Sequence, residues 1–334
     1  MKSSSKYKKA LVTGGAGFIG SHLCEELLSQ GYQVTVVDNL STGRLSNITS
    51  LLKDKKHFKF YKGSILDERL MDKLIKKSDI IFHLAAAVGV KLILEKTVES
   101  INTNIHGTGI ILKLASKYQK KVILASSSEV YGKPPLCVPL KEESDRLVGP
   151  TSVSRWSYSV AKACNEFEAL AYAREKKLPV VIVRLFNTVG PRQVGHYGMV
   201  LPRFIEQALL NKPITVHGNG QQIRSFSYVK DVVKAIIKLS QLKKAENHVF
   251  NIGSHEYITI KELAHLVKKK ANSKSKIVYI AHKDIYGEDF EDVYCRIGDI
   301  SKLKQFIGYK PKHSLNDIID ETIKYFKQKL KRNK

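Results

Sequence analysis

The stretch from Ala10 to Asp38 constrains the fold more than any other. Ala10-Leu11-Val12-Thr13 is a short apolar run that breaks into Gly14-Gly15-Ala16-Gly17-Phe18-Ile19-Gly20, and a helical pattern follows from Ser21 through Leu28, ending near Gly31. Strand, glycine turn and helix in that order are the context in which G-x-x-G-x-x-G carries meaning. The glycines let the backbone approach a pyrophosphate closely, and the helix N-terminus offers it unpaired N–H groups. A second strand, Gln33 to Val37, ends in Asp38 at about the expected distance. A carboxylate there accepts hydrogen bonds from both hydroxyls of an adenosine ribose and repels a 2′-phosphate, so NAD is favoured over NADP. A glycine-rich turn in an unrelated α/β fold is the competing reading, but strand, spacing and acid agree on the cofactor.

The alternation continues. His57 to Tyr61 reads as a strand, Asp67 to Lys76 as a helix, and Ile80 to His83 as a buried strand leading into Leu84-Ala85-Ala86-Ala87. Thr97 to Tyr118 reads as a long helix and Lys121 to Ala125 as another buried strand. Strands separated by helices in this rhythm predict an α/β protein with a Rossmann-type doubly wound parallel sheet. At 334 residues the chain is long enough for two lobes, the second a smaller C-terminal α/β one, and the division is expected at 1–185 and 186–334 with interleaving segments.

Composition removes several function classes. Lys+Arg 56 against Asp+Glu 31 gives a net charge of +25, which raises the question of an acidic partner. The lysines fall in small scattered groups with no interleaved aromatics, so they read as a solvated surface with some steering of an anionic substrate, and nucleic acid stays a minor hypothesis. Cys24, Cys137, Cys164 and Cys295 show no C-x-x-C spacing, which argues against a zinc site and a disulfide scaffold and fits a reducing compartment. No metal is expected. Met1 to Lys9 lacks an apolar signal region, and no apolar run is long enough to span a membrane. A cytoplasmic protein is expected.

The chemistry is expected at Trp156-Ser157-Tyr158-Ser159-Val160-Ala161-Lys162. On a helix, Tyr158 and Lys162 at i and i+4 share one face. A phenol is a poor base near neutrality unless a nearby cation stabilises its phenolate, and the lysine supplies that cation. Taken alone, Y-x-x-x-K is as well explained by a surface pair on an amphipathic helix. Its company changes that: the strand at Lys121 to Ala125 runs into Ser126-Ser127-Ser128-Glu129-Val130-Tyr131-Gly132. The carboxyl end of a central strand is where ligands lie in such sheets, and three hydroxyls and a carboxylate are hard to explain there as packing. Residues Pro134 to Pro150 look like an excursion off the sheet.

Together these residues resemble the extended short-chain dehydrogenase/reductase family of nucleotide-sugar epimerases, dehydratases and decarboxylases. T-G-G-A-G-F-I-G at Thr13 to Gly20, D-N-L-S-T-G at Asp38 to Gly43, H-L-A-A at His83 to Ala86, S-S-S-E-V-Y-G, Y-S-V-A-K, R-L-F-N-T-V-G-P-R at Arg184 to Arg192, R-S-F-S-Y-V at Arg224 to Val229 and R-I-G-D at Arg296 to Asp299 follow the family's order over nearly the whole chain. The resemblance implies that Gly14, Gly17 and Gly20 hold the NAD pyrophosphate with backbone from Phe18 and Ile19. Asp38 and Asn39 would bind the adenosine ribose, with Ser41, Thr42 and Gly43 completing that motif, and Leu84, Ala85 and Ala86 would line the nicotinamide channel near Asn104. Where the family often has Asp-Ile, this chain has Ser64-Ile65, so a side-chain bond to the adenine amino group is not carried over.

In that family the Tyr158 equivalent takes a proton from the sugar 4-hydroxyl while NAD+ takes the C4 hydride, Lys162 binds the nicotinamide ribose, and Ser127 hydrogen-bonds the same hydroxyl. All members make a 4-keto sugar and then diverge. Ser128-Glu129 after the catalytic serine is the pattern of UDP-glucuronate decarboxylases, in which a 4-keto uronic acid loses CO2 once its carboxylate is twisted and desolvated. Glu129 would help turn the carboxylate and Arg224 would donate near C5 or the carboxylate. The segments Gly149-Pro150 to Arg155-Trp156 and Tyr286-Gly287 through Phe290-Glu291-Asp292-Val293 to Arg296 also resemble a decarboxylase. By contrast, the run from Arg184 through Gln193, with Tyr197-Gly198-Met199, resembles an epimerase-like subgroup. Conversion of UDP-glucuronate to UDP-xylose or its 4-keto pentose leads. A UDP-sugar 4-epimerase is the alternative, ahead of a 4,6-dehydratase or an inactive NAD-binding protein.

For the second lobe, Asn187 is expected at the nucleotide-sugar pyrophosphate, Val200 and Leu201 at the uracil or sugar, and the strand carrying Thr215 and His217 over the base. Arg224 and Arg296 fit a diphosphate clamp because guanidinium forks pair with phosphate oxygens bidentately. The family resemblance also implies a homodimer through helices near 100–118 and 159–176.

Overall fold

The computed structural model describes residues 7–195, 198–287 and 290–332; Tyr197 of the epimerase-like motif lies outside them. The first half alternates as expected: β1 (Lys9–Thr13), α1 (Phe18–Ser29), β2 (Gln33–Asp38), β3 (Phe58–Lys62), α2 (Glu68–Lys76), β4 (Ile80–His83), α3 (Val90–Glu95), α4 (Thr97–Lys117), β5 (Lys121–Ser127), α5 (Trp156–Lys176) and β6 (Val180–Leu185). The rest adds β7 (Thr188–Val189), α6 (Val200–Leu209), β8 (Ile214–His217), β9 (Ile223–Ser225), β10 (Ser227–Tyr228), α7 (Val229–Gln241), β11 (His248–Ile252), β12 (Tyr257–Thr259) and α8 (Ile260–Lys270). Then come β13 (Ile277–Ile280), α9 (His282–Tyr286), β14 (Cys295–Arg296), α10 (Ser301–Ile307) and α11 (Leu315–Arg332).

Seven parallel strands form the main sheet in the order β11-β6-β5-β4-β1-β2-β3. Strands covered on both faces need apolar side chains on both, which is why Val180 to Val183 and Ile80 to Phe82 are continuous buried runs. One face packs on α1 and α7 and the other on α2, α4 and α5. The chain leaves β1 toward one edge and returns at β4 on the other side, so the strand order reverses between β1 and β4. This is the crevice where parallel sheets take ligands. The sheet's last strand, β11, comes from beyond residue 185. The remaining residues build small sheets, with β8 parallel to β13 and β9 between β12 and β14.

The cysteine reading is corrected. Cys137 and Cys295, separated by 158 positions, form a disulfide with Cα atoms 5.3 Å apart, while Cys24 and Cys164 are free. Spacing along the chain is uninformative because tertiary structure makes the pair. Leu140, in the excursion, exchanges backbone hydrogen bonds with Ile297 and Asp299, at 3.0 and 2.8 Å, and so lays Cys137 beside β14. The cysteines therefore give no argument for a reducing compartment. Among the described residues, no helix is long and apolar enough to cross a membrane.

Candidate active site

The glycine turn fits a dinucleotide for steric reasons. Gly14 sits at φ +73°, where a Cβ would lie 2.8 Å from the Ala85 nitrogen, and a Cβ on Gly20 would lie 2.2 Å from the Gly14 carbonyl. Any side chain at either position would drive β1, the loop after β4 and α1 apart, closing the crevice. Gly17, the residue before α1, would meet only the Gly14 carbonyl, at 3.1 Å, so its outer face is open to a ligand. Phe18 and Ile19 begin α1 and place their N–H groups at its free end. Asp38 ends β2, with Oδ2 accepting from Ala16 N–H (3.0 Å) and Oδ1 from Leu40 N–H (2.8 Å). Each carboxylate oxygen keeps a lone pair for a ribose hydroxyl. Burial pushes this carboxyl up, against those backbone hydrogen bonds. Asn39 accepts from Ser41 N–H, shaping the turn through Thr42 to Gly43, whose α-carbon faces the Asp38 carboxylate.

Opposite, Thr13 and His83 lock the ends of β1 and β4 together. Thr13 Oγ1 lies 2.7 Å from His83 Nδ1 and accepts from Ala85 N–H, and His83 Nε2 lies 3.0 Å from Thr108 Oγ1. Burial, and then Lys162, depress the His83 pKa to about 3, so the ring is neutral. Asn104 clamps Ala87 from both sides, accepting its N–H at 2.9 Å and donating to its carbonyl at 3.1 Å, which holds Leu84, Ala85 and Ala86 in line. Ser64 accepts from Leu66 N–H, and Ile65 is buried against Gly107.

The chemical centre forms where β5 ends. Ser127 caps the 3-10 turn Ser128–Tyr131 by accepting the Glu129 N–H at 3.2 Å, and its hydroxyl lies on the Tyr158 side, where it favours the phenolate. Ser126 has a different role: it donates to Glu166, which is paired with Arg184 at 2.7 Å in the interior. One of the three hydroxyls is thus packing after all. Ser128 is buried. Tyr158 and Lys162 share a face of α5, with Lys162 Nζ donating to the Ala125 carbonyl at 2.9 Å and lying 6.0 Å from the Tyr158 ring centroid.

Groups other than Lys162 dominate the surroundings of the Tyr158 phenol. Burial, and then the Glu129 charge, push the phenol above its ordinary pKa, with the Ser127 hydroxyl and Arg296 opposing. Burial lowers Lys162 to about 8, against Glu166, so the lysine is a weaker cation than an exposed one.

Glu129 lies inside a cluster of guanidinium groups. Arg296 Nη1 is 2.5 Å from Oε1 and Arg155 Nη2 is 3.8 Å from Oε2. Burial alone would raise this carboxyl; Arg296, Arg155 and Arg224 outweigh burial and hold it below the usual carboxylate range. Arg224, paired in register with Arg296 across β9 and β14, directs its N–H groups at the carbonyls of Ile223, Val293 and Tyr294. Burial, then Arg296, lower Arg224 to about 10. The buried Nε–H groups of Arg155 and Arg296 have no protein partner. Arg155 and Asp292 stand out in the sequence only within longer segments, and their meeting across 137 positions leaves no local signal.

The substrate-side residues lie close by in the second lobe. Asn187, just after β6, donates to the Ser225 carbonyl at 2.8 Å. Val200 and Leu201 open α6. Thr215 is held by Gln207 on both its N–H and its hydroxyl, and His217 Nδ1 meets the Tyr286 hydroxyl at 3.0 Å. Tyr286 stacks on Phe290 with ring centroids 4.3 Å apart, so α9 and Phe290 cover this side.

Comparison with known proteins agrees with this geometry. Residues 11–322 match the family described as GDP-mannose 4,6 dehydratase. The chain is 43% identical over 322 residues to a UDP-N-acetyl-alpha-D-glucosaminuronate decarboxylase of Bacillus cytotoxicus, covering 96% of this chain and 98% of that protein. It is 34% identical to UDP-glucuronic acid decarboxylase 1 of Xenopus tropicalis, covering 98% of this chain and 74% of that protein. Among solved structures, UDP-glucuronic acid 4-epimerase from Bacillus cereus, in complex with UDP-glucuronic acid and NAD, superposes with a TM-score of 0.85 at 32% identity, over 96% of this chain and 99% of the other. Match, fold and site chemistry agree: the chain belongs to the GDP-mannose 4,6 dehydratase family of short-chain dehydrogenase/reductase-type nucleotide-sugar enzymes.

Proposed function

We propose that this enzyme is an NAD-dependent decarboxylase of a UDP-hexuronate, acting through a 4-keto sugar and releasing a UDP-pentose. The observation that carries this reading is the buried Glu129 carboxylate among Arg155, Arg224 and Arg296. A site of that charge suits a carboxylated sugar, and the decarboxylase relatives support it. Of the two uronates those relatives act on, the 2-acetamido sugar belongs to the relative at 43% identity and is the first to test beside UDP-glucuronate.

The roles follow from position. Gly14, Gly17 and Gly20 cradle the pyrophosphate and Asp38 takes the adenosine ribose. When bound, NAD+ supplies the oxidation at C4 and a positive charge that favours the phenolate. Tyr158 accepts the C4 hydroxyl proton, with Ser127 orienting that hydroxyl and Lys162 fixed by Ala125. Glu129 turns the sugar carboxylate against the guanidinium groups and keeps water from it. Asn187 takes the diphosphate side, whereas Arg296, clamped on Glu129, serves the carboxylate and not the expected diphosphate clamp. The same reading includes a homodimer, supported by the packed pair α4 and α5 and by the exposed Val160 and Phe167 on α5. It also includes a cytoplasmic location.

A 4-epimerase is the second reading, favoured by the Bacillus cereus neighbour. Mass spectrometry of products from NAD+ with UDP-glucuronate and with UDP-N-acetylglucosaminuronate separates the two. Loss of CO2 is the expected result; a new isomer of unchanged mass would replace the decarboxylase with the epimerase.

A further inference from the structure

The strap between α9 and β14 places one acid where it governs the arginine cluster. Asp292 Oδ1 lies 3.2 Å from Arg155 Nη1 and 3.5 Å from Arg224 Nη2, and accepts the Val293 N–H at 2.8 Å; Oδ2 lies 3.4 Å from His282 Nε2. The strap's backbone reinforces this, with the carbonyls of Glu291 and Val293 accepting from Arg155 and Arg224 at 2.6 Å each. Glu291 turns its side chain away, onto Lys133 and the Trp156 indole N–H. The mutually contacting groups are therefore three guanidinium cations against two carboxylates, Glu129 and Asp292. One positive charge is left over. That charge matches one added carboxylate.

We propose that Asp292 is a positioning residue that sets this charge balance, so that the site takes a sugar carboxylate without holding it too tightly to lose. The inference rests on the uronate decarboxylase reading. In the 4-keto sugar the C5–C6 bond breaks, its electron pair passes into the C4–C5 enolate, CO2 leaves uncharged and a proton returns to C5. Negative charge thus moves away from the guanidinium groups during the step. Extra positive charge at the carboxylate would stabilise the bound uronate more than the departing transition state and would slow the reaction.

Asp292→Asn keeps the size and the Val293 acceptor but removes the charge. In the NAD-loaded enzyme we expect UDP-glucuronate to bind roughly tenfold more tightly. UDP-glucose, which has no carboxylate, should bind as before, and kcat for CO2 release should fall by a similar factor. A structural role alone would weaken both ligands together, and that result, or a raised Kd for the uronate alone, overturns the proposal. If Asp292→Asn does not fold, Asp292→Glu, which keeps the charge, must hold the wild-type ratio of the two affinities; a changed ratio overturns the proposal equally. Failure of the function itself looks different: wild-type enzyme would prefer the uronate over UDP-glucose yet release no CO2. A wild-type enzyme with no such preference would remove the basis for Asp292 whatever the reaction.

Discussion

Cys137→Ser tests the crosslink between the excursion after the catalytic turn and the strand that carries Arg296. The bond closes a loop of 158 positions, and loop-closure entropy of the unfolded chain at that length sets an upper estimate of about 5 kcal/mol at room temperature. Native geometry should change far less. Leu140 still exchanges hydrogen bonds with Ile297 and Asp299, and Lys133 still pairs with Glu291 at 2.8 Å. The expected signature is therefore a large fall in the denaturation midpoint with turnover near wild type at low denaturant. Guanidinium titrations of wild type, with and without reductant, and of Cys137→Ser give the three curves needed, with thiol counting under denaturing conditions as control. Reduced wild type should coincide with the variant, and oxidised wild type should stand above both. Coincidence of all three curves, with every cysteine free, would refute the crosslink; separate curves with lost turnover would mean that the bond positions Arg296.

Two further substitutions probe the interior. Glu129→Gln should cut CO2 release by about 10²–10⁴-fold. Because the Glu129 charge helps hold the Tyr158 phenol high, the same change should move the acid limb of single-turnover NAD+ reduction to lower pH; an unmoved limb would separate the two groups electrostatically. Glu129 is itself held low, so its contribution to stability is present above the ordinary carboxylate pKa and is lost as pH falls through the folded value. Glu166→Gln would leave Arg184 buried without its counter-charge, and a loss of about 3–5 kcal/mol in unfolding free energy is expected, read by thermal or chemical denaturation.

The parts of the molecule legible in the sequence share a short range. Strand, glycine turn and helix lie within Lys9 to Ser29, and the acid at Asp38 ends the next strand, so the crevice and its cofactor side can be read in order. Tyr158 and Lys162 are one helical turn apart. Ser126 reads wrongly because its partner, Glu166, is 40 positions away, and a hydroxyl at a strand end looks the same whether it faces a ligand or the interior. The surroundings of Tyr158 are only partly legible for a related reason. A lysine one turn away is visible in the sequence, whereas burial and a carboxylate from another element are not.

The charged groups beside the catalytic turn come from distant parts of the chain. Arg155 precedes α5, Arg224 and Arg296 lie in register on β9 and β14, and Asp292 hangs between them on a strap fastened by Cys137–Cys295. A parallel sheet with its crevice does not separate the branches of the family, since it serves the NAD that its members share. The fate of the keto-sugar depends instead on where charge sits beyond C4, and here this second layer supplies the charge. Three guanidinium groups and two carboxylates leave one positive charge over, which the proposed decarboxylase would use for a substrate that arrives carboxylated and departs without its carboxylate. An epimerase would have to retain that anion while the keto-sugar turns, and arginines clasped to the strap's own carbonyls, as Arg224 is to Val293 at 2.6 Å, are poorly placed to follow it. On the decarboxylase reading, the placement of this arginine layer, more than the cofactor cleft, is what separates loss of CO2 from rotation.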